Sequence, residues 1–225
     1  MYCNIQVLII TGIYSLLGFS QKAETLIPIS PTGYAFKKGN PSSNVVVEFF
    51  IDLSCSSCLD SWPTLNKVVE VYKNDVNFLY RIFPLPYHQQ AFILSKGASL
   101  VDYYSPSSDA VFTYMDTCYN NQALIYNSAT SDMTYNQVVS LVGTWATNGT
   151  GVSMNQYIEG MDSSTTAGNY IEFSSRYMFK YSSLHDVWAT PVYQINGEVV
   201  LGIDTYETWS ETLDSLINVS KSENK

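Results

Sequence analysis

The chain has 225 residues, 46% hydrophobic and 14% aromatic, which is the makeup of a globular protein with no repeat period or low-complexity tract. Its 11 basic and 20 acidic residues leave a formal net charge of −9, and phosphate binding needs clustered Lys and Arg, so nucleic acid is excluded as a partner. The length suits one sizeable core, or a core with an inserted subdomain.

The N-terminal run "MYCNIQVLIITGIYSLLGFSQ" has no charged side chain, is apolar from Ile5 to Phe19, and has small residues at Gly18 and Ser20. It reads as a signal peptide over residues 1–20, because Thr11 and Ser15 break it short of the roughly 18 apolar residues a membrane anchor needs. Cleavage removes Cys3 and leaves Cys55, Cys58 and Cys118. The expected address is a secretory lumen or the cell exterior, without a stable membrane anchor and without a KDEL-type signal in "SENK". There Asn148, in "NGT", and Asn218, in "NVS", are candidate glycosylation sites.

After a Pro-, Gly- and Ser-rich lead-in from Pro28 to Ser43, Asn44 to Ile51 reads as a buried strand: short, β-branched and bounded by turn formers. Ser54 to Tyr72 reads as a helix, and Val76 to Leu85 as a second strand that Pro84 and Pro86 end. Strand, helix, strand implies two parallel strands with a right-handed crossover. Helical periodicity follows in Tyr87 to Tyr104, Ser108 to Ile125, Thr134 to Thr147 and Ser164 to Leu184, an insertion of four or five helices. In "PVYQINGEVV" Asn196 and Gly197 signal a hairpin, and Thr205 to Val219 reads as a closing amphipathic helix. The result is an α/β fold, with residues 21–86 (βαβ) and 187–222 (ββα) flanking a helical insertion at 87–186.

Cys55 and Cys58 lie just after the first strand, in "VVVEFFIDLSCSSC". Three chemistries use such a pair. Zinc needs four ligands, whereas beyond this pair the chain offers only Cys118, His88 and His185 as Cys or His ligands, so no metal is expected. A structural disulfide more often joins distant segments, because closing a very short loop removes little entropy from the unfolded chain. A redox pair has a positive mechanism. Cys55 at a helix N-terminus meets unpaired N–H groups and the positive end of the helix dipole, which favour a thiolate, while Cys58 sits one turn on, within reach of a disulfide. Cys55 is then the attacking thiol and Cys58 the resolving one.

The chain here resembles the thioredoxin superfamily, in its DsbA-like branch with a helical insertion, over roughly Asn40 to Asn218. The resemblance rests on "VVVEFFIDLSCSSC", Pro63 five residues after the second cysteine, "FPLPYH" closing the next strand, and "ATPVYQING" after the helices. It implies a thioredoxin-like fold and a redox-active Cys55–Cys58 disulfide. It also implies a cis Thr190–Pro191 bond beside the pair, leaving the Thr190 backbone free to bind an extended substrate. Pro63 itself lacks an N–H and would kink the helix carrying the cysteines.

Members often bury an acid below the cysteines for proton transfer, and Glu48 and Asp52 are the candidates. Their plainer readings are a solvated strand residue and a cap at the start of the helix. The Ser56-Ser57 dipeptide departs from relatives that often carry Pro, Gly or His there. His88 and His185 read as capping or packing residues. Trp62 and Trp188 read as core residues, with a substrate groove as the alternative, and Cys118 as a buried small hydrophobe. The function implied is exchange of disulfides with protein or peptide thiols, with no organic cofactor; the residues name no recycling partner. A peptide-binding module with faded redox activity is the competing reading.

Overall fold

The structure, a computed structural model, describes residues 34–223, so the signal-peptide reading, Cys3 and the start of the lead-in lie outside the described residues. Within the Pro-, Gly- and Ser-rich lead-in, where the sequence pattern marks no element, Phe36–Gly39 forms strand β1. Only Phe36 in it is buried, so there was no alternation to read; pairing with a later strand makes it a strand.

β2 (Val46–Ile51) and β3 (Asn77–Ile82) are parallel and joined by α1 (Ser56–Tyr72), the crossover that the sequence pattern predicts. β4 (Val192–Ile195) runs antiparallel to β2, then turns through Asn196 and Gly197, both at positive φ, into β5 (Glu198–Val200). Asn-Gly suits that turn because both central residues must be left-handed. The sheet order is β1-β3-β2-β4-β5, with β2 at its centre.

Between β3 and β4 run five helices: α2 (Ala91–Tyr104), α3 (Ala110–Asn120), α4 (Tyr135–Thr147), α5 (Met154–Met161) and α6 (Thr166–Leu184). α7 (Tyr206–Glu223) closes the described chain. The expected helix from Ser108 to Ile125 is α3 followed by a separate 3₁₀ turn, Gln122–Leu124. The eight residues of α5 give too short a periodic signal, although Ser153 and Gln156 form a capping box at its start.

The sheet is covered on both faces. Phe49 meets the rings of Phe78, Tyr80, Tyr193 and Trp209, and α1 packs with α7 on this side. On the opposite face Phe50 packs with Phe83, Leu85 and Val187, and Phe179 of α6 stacks on Phe83. This double cover fixes what surrounds Glu48 and Asp52, which alternate with Phe50 on the α6 side.

Candidate active site

β2 ends in a tight turn that aims the chain into α1. The Cys55 N–H donates to the Asp52 carbonyl at 3.1 Å, and Cys55 is the N-cap of α1 in extended conformation. Cys58 is one helical turn on, facing the core. Both are free thiols here, the reduced form of the pair, with Cys55 7% exposed and Cys58 1%.

The Thr190–Pro191 peptide bond is cis, and the Cys55 thiol donates to the Thr190 carbonyl at 3.4 Å, which puts the loop before β4 against Cys55. The Thr190 hydroxyl lies by both sulfurs and is buried with no hydrogen-bond partner, so a thiolate is the acceptor it lacks.

The two sulfurs differ in charge preference. The Cys55 thiol is pushed down to about 5, chiefly by the hydrogen bond from Cys58, with burial opposing and the Thr190 hydroxyl and the N–H groups of Cys58 and Ser57 assisting. Cys58 is pushed well up, first by burial and then by the hydrogen bond to Cys55 and the charge there. One proton is thus shared unequally: Cys58 keeps it and donates it to a Cys55 thiolate.

Asp52 is fully buried, and its carboxylate accepts from four donors: the Ser54 N–H at 2.8 Å, the Ser54 hydroxyl at 2.8 Å, the Leu85 N–H at 3.0 Å and His88 Nδ1 at 2.7 Å. It reaches Cys58 with its backbone N–H, 3.4 Å from Sγ. Its side chain therefore ties the cysteine turn to the loop after β3, with the N-cap position taken by Cys55. His88 belongs to this clasp.

Glu48 is not the solvated strand residue of the plainer reading. It is buried and paired with the guanidinium of Arg81, which also donates to the Tyr34 carbonyl at 2.9 Å and lies 3.7 Å over the Tyr181 ring. Tyr181, from α6, donates to Glu48 Oε1 at 3.4 Å. Alternation along β2 leaves Glu48 facing either way; the side chains of β3 and α6 on its face are what bury it.

Trp62 packs in the core on Tyr119, with ring centroids 4.8 Å apart, and its Nε1 donates to Asp116 at 2.7 Å. Trp188 is the opposite case: at 83% exposed it is no core residue, because the turn before the cis bond carries it outward. His185 stacks on Tyr181, its Nδ1 2.8 Å from the Tyr181 carbonyl, as a packing residue. Cys118 is buried in the insertion, its thiol raised by that burial. Asn148, at the C-cap of α4, and Asn218, on α7, are both exposed.

One contributor had no sequence signal. Gln122, in the 3₁₀ turn after α3, is 1% exposed, and its Nε2 donates to the carbonyls of Leu53 and Cys55, each at 3.0 Å. Tyr126 fixes its Oε1 at 2.6 Å, and Tyr119 donates to the Asp52 carbonyl at 3.4 Å. A glutamine after Asn120 and Asn121 and before Ala123 looks like any helix-end residue.

Among the described residues no three His, Cys, Asp or Glu side chains group as a metal site, and no helix is long and apolar enough to cross a membrane. The profile of the family described as Thioredoxin matches residues 32–215. Among curated proteins no sequence matches the chain. In structure it is similar to α-DsbA1 of Wolbachia pipientis, with a TM-score of 0.63 at 15% identity over 89% of this chain and 98% of that one. It is similar also to oxidised BdbD of Bacillus subtilis, with a TM-score of 0.61 at 18% identity over 82% and 93%. DsbA of Chlamydia trachomatis gives 0.61 at 12% identity over 83% and 93%.

Proposed function

The chain belongs to the thioredoxin family and has the DsbA-like form of its fold, and from that premise we propose a protein thiol–disulfide oxidoreductase working through a Cys55 mixed disulfide that Cys58 resolves. The carrying observation is the unequal placement of two neighbouring sulfurs: Cys55 is the N-cap of α1 beside the cis Thr190–Pro191 bond, with its thiol pushed down to about 5, and Cys58 lies one turn deeper, with its thiol pushed up by burial.

The chemistry balances within the pair. The Cys55 thiolate attacks one sulfur of a client disulfide, forming the mixed disulfide and releasing the other client sulfur as thiolate. Sγ of Cys55 is then neutral and no longer holds the proton of Cys58. Cys58 gives that proton to the departing client sulfur, attacks Cys55 Sγ, and closes the Cys55–Cys58 disulfide with two electrons passed to the client. In reverse the pair oxidises client thiols, and stabilisation of the Cys55 thiolate favours this direction because Cys55 is then the better leaving group.

Thr190 and Pro191 are the substrate-binding positions: the Thr190 carbonyl accepts from Cys55 only while that residue is a thiol, and once Cys55 ionises the carbonyl is open to an N–H of an incoming extended segment. Glu48 and Asp52 have their carboxylates occupied, and we assign them to holding the site rather than to moving its proton. The clients are proteins or peptides with thiols or disulfides, in a secretory lumen or outside the cell. Exposed Asn148 and Asn218 fit glycosylation there. The Thr150 hydroxyl of the first triplet is buried on the Ala146 carbonyl at 2.5 Å, so a glycan at Asn148 must be added before folding.

Alkylation of the reduced protein against pH tests the proposal. Cys55 should react with a midpoint near 5, and Cys58→Ser should accumulate mixed disulfides with clients. A midpoint at the ordinary thiol value of about 8.5, with no trapped client, would leave the fold as a peptide-binding module.

A further inference from the structure

The cysteine turn is built by the strand–helix frame, yet the side-chain donors on its carbonyls come from the helical insertion. Gln122 Nε2 spans the Leu53 and Cys55 carbonyls, and Tyr119 reaches that of Asp52. Each amide hydrogen of Gln122 has an acceptor and its oxygen has the Tyr126 hydroxyl, so three hydrogen bonds hold the side chain in one orientation.

Those two carbonyls bracket the nucleophile, one two residues before Cys55 and the other its own. While Gln122 holds them, their negative ends point to the insertion, and the N–H groups of Ser57 and Cys58 stay aimed at Sγ. The Cys55 carbonyl accepts also from the Leu59 N–H at 3.1 Å, so it closes the first turn of α1 and takes the insertion's donor together. If the amide is lost, two buried carbonyls give up a donor and the peptide planes on either side of Cys55 can turn. The thiolate would then lose alignment with its own donors without losing any of them by deletion.

We propose that Gln122 is a positioning residue for Cys55, through which the helical insertion sets the reactivity of the nucleophile. Gln122 touches neither sulfur. It acts through the backbone it holds, with Tyr126 as the group that orients it. The inference rests on the thiolate reading of Cys55 and adds where that thiolate's support comes from.

Gln122→Met keeps the length of the side chain and removes both donors. Its Cys55 alkylation midpoint should rise by about one unit, which at pH 5 slows alkylation about fivefold relative to the natural protein. Tyr126→Phe frees the amide oxygen and should move the midpoint in the same direction by less. Val142→Ala, a cavity in the insertion core away from the turn, should lower the melting temperature and leave the midpoint in place. A merely structural Gln122 would behave like Val142: a lower melting temperature with an unmoved midpoint in Gln122→Met overturns the proposal. Should Gln122→Met not fold, Tyr126→Phe decides by the same reading, a raised midpoint supporting and an unmoved one overturning. The natural protein separates the two levels, since a midpoint near 8.5 there removes the thiolate reading itself, whereas a midpoint near 5 shared by all variants removes only the role of Gln122.

Discussion

The strand–helix frame and the helical insertion contribute to the site in different currencies. The frame supplies the nearest partners of Cys55: the Cys58 thiol, the N–H groups at the start of α1, and the carbonyl and hydroxyl of Thr190 in the loop before β4. The insertion supplies side chains, Gln122, Tyr119 and Asp116, none of which meets a sulfur directly and all of which hold the frame's turn or its Trp62. Chemistry therefore depends on the frame's covalent sequence at two cysteines, and its tuning depends on packing from a segment about seventy residues away in the chain.

Swapping one cysteine in each region gives the largest contrast. Cys55→Ser removes the attacking sulfur, so disulfide exchange measured with a thiol-bearing peptide should fall by a factor on the order of 10³ or more while the fold remains. Cys118→Ala in the insertion removes a more deeply buried sulfur, with a modest fall in stability and exchange retained. Equal losses of activity from the two would erase the division of labour.

The junction of the regions is the next place to press. Glu48 and Arg81 both belong to the frame, and Tyr181 of α6 lies across them. Glu48→Ala takes the carboxylate from a buried guanidinium, a loss of about 3–5 kcal/mol in a urea titration. Replacing Glu48 and Arg81 together by Leu and Met should recover much of that loss, because the buried charge goes with its carboxylate. If the single variant costs under about 1 kcal/mol, as an exposed ion pair would, the cover by α6 is looser than the structure shows.

These elements also show what was legible. β2, α1, β3 and the Asn196-Gly197 turn each carry a local signal, and the spacing of Cys55 and Cys58 marks the proposed redox pair, so these parts of the frame were readable from the chain itself. β1 was not, since one buried Phe36 leaves no periodicity, nor was α5, too short to show it. Glu48, Asp52 and His88 were visible as residue types. Their partners come from β3, α6 and the loop after β3, and such nonlocal pairings leave no trace in spacing. Trp188 erred the other way, since a large aromatic reads as core wherever it stands.

The redox state of the frame should be readable as stability. In the reduced protein the folded value of Cys55 is depressed to about 5 against about 8.5 unfolded, so its thiolate adds stability in full above the unfolded value and loses it as pH falls through 5. The oxidised protein has no such titration. Urea midpoints for both forms between about pH 4 and 7.5 should show the reduced form gaining on the oxidised one as pH rises above 5. Over that range the raised Cys58 stays a thiol folded, and nearly so unfolded, and adds little of its own. Parallel curves for the two forms would mean that Cys55 is no thiolate.

The smallest effect belongs to the insertion alone. Ser153 caps α5 by accepting from the Gln156 N–H, and Gln156 returns the bond to the Ser153 N–H at 2.9 Å, so two otherwise unpaired helix-start donors are satisfied. Ser153→Ala should cost about 1 kcal/mol in urea. Because α5 reaches the cysteine turn only through other helices of the insertion, that loss should leave the Cys55 alkylation midpoint and the exchange rate unchanged. If the midpoint moves with so remote a cap, the insertion acts on the nucleophile as a whole body, and the tuning of Cys55 is spread over its packing rather than concentrated at one buried amide.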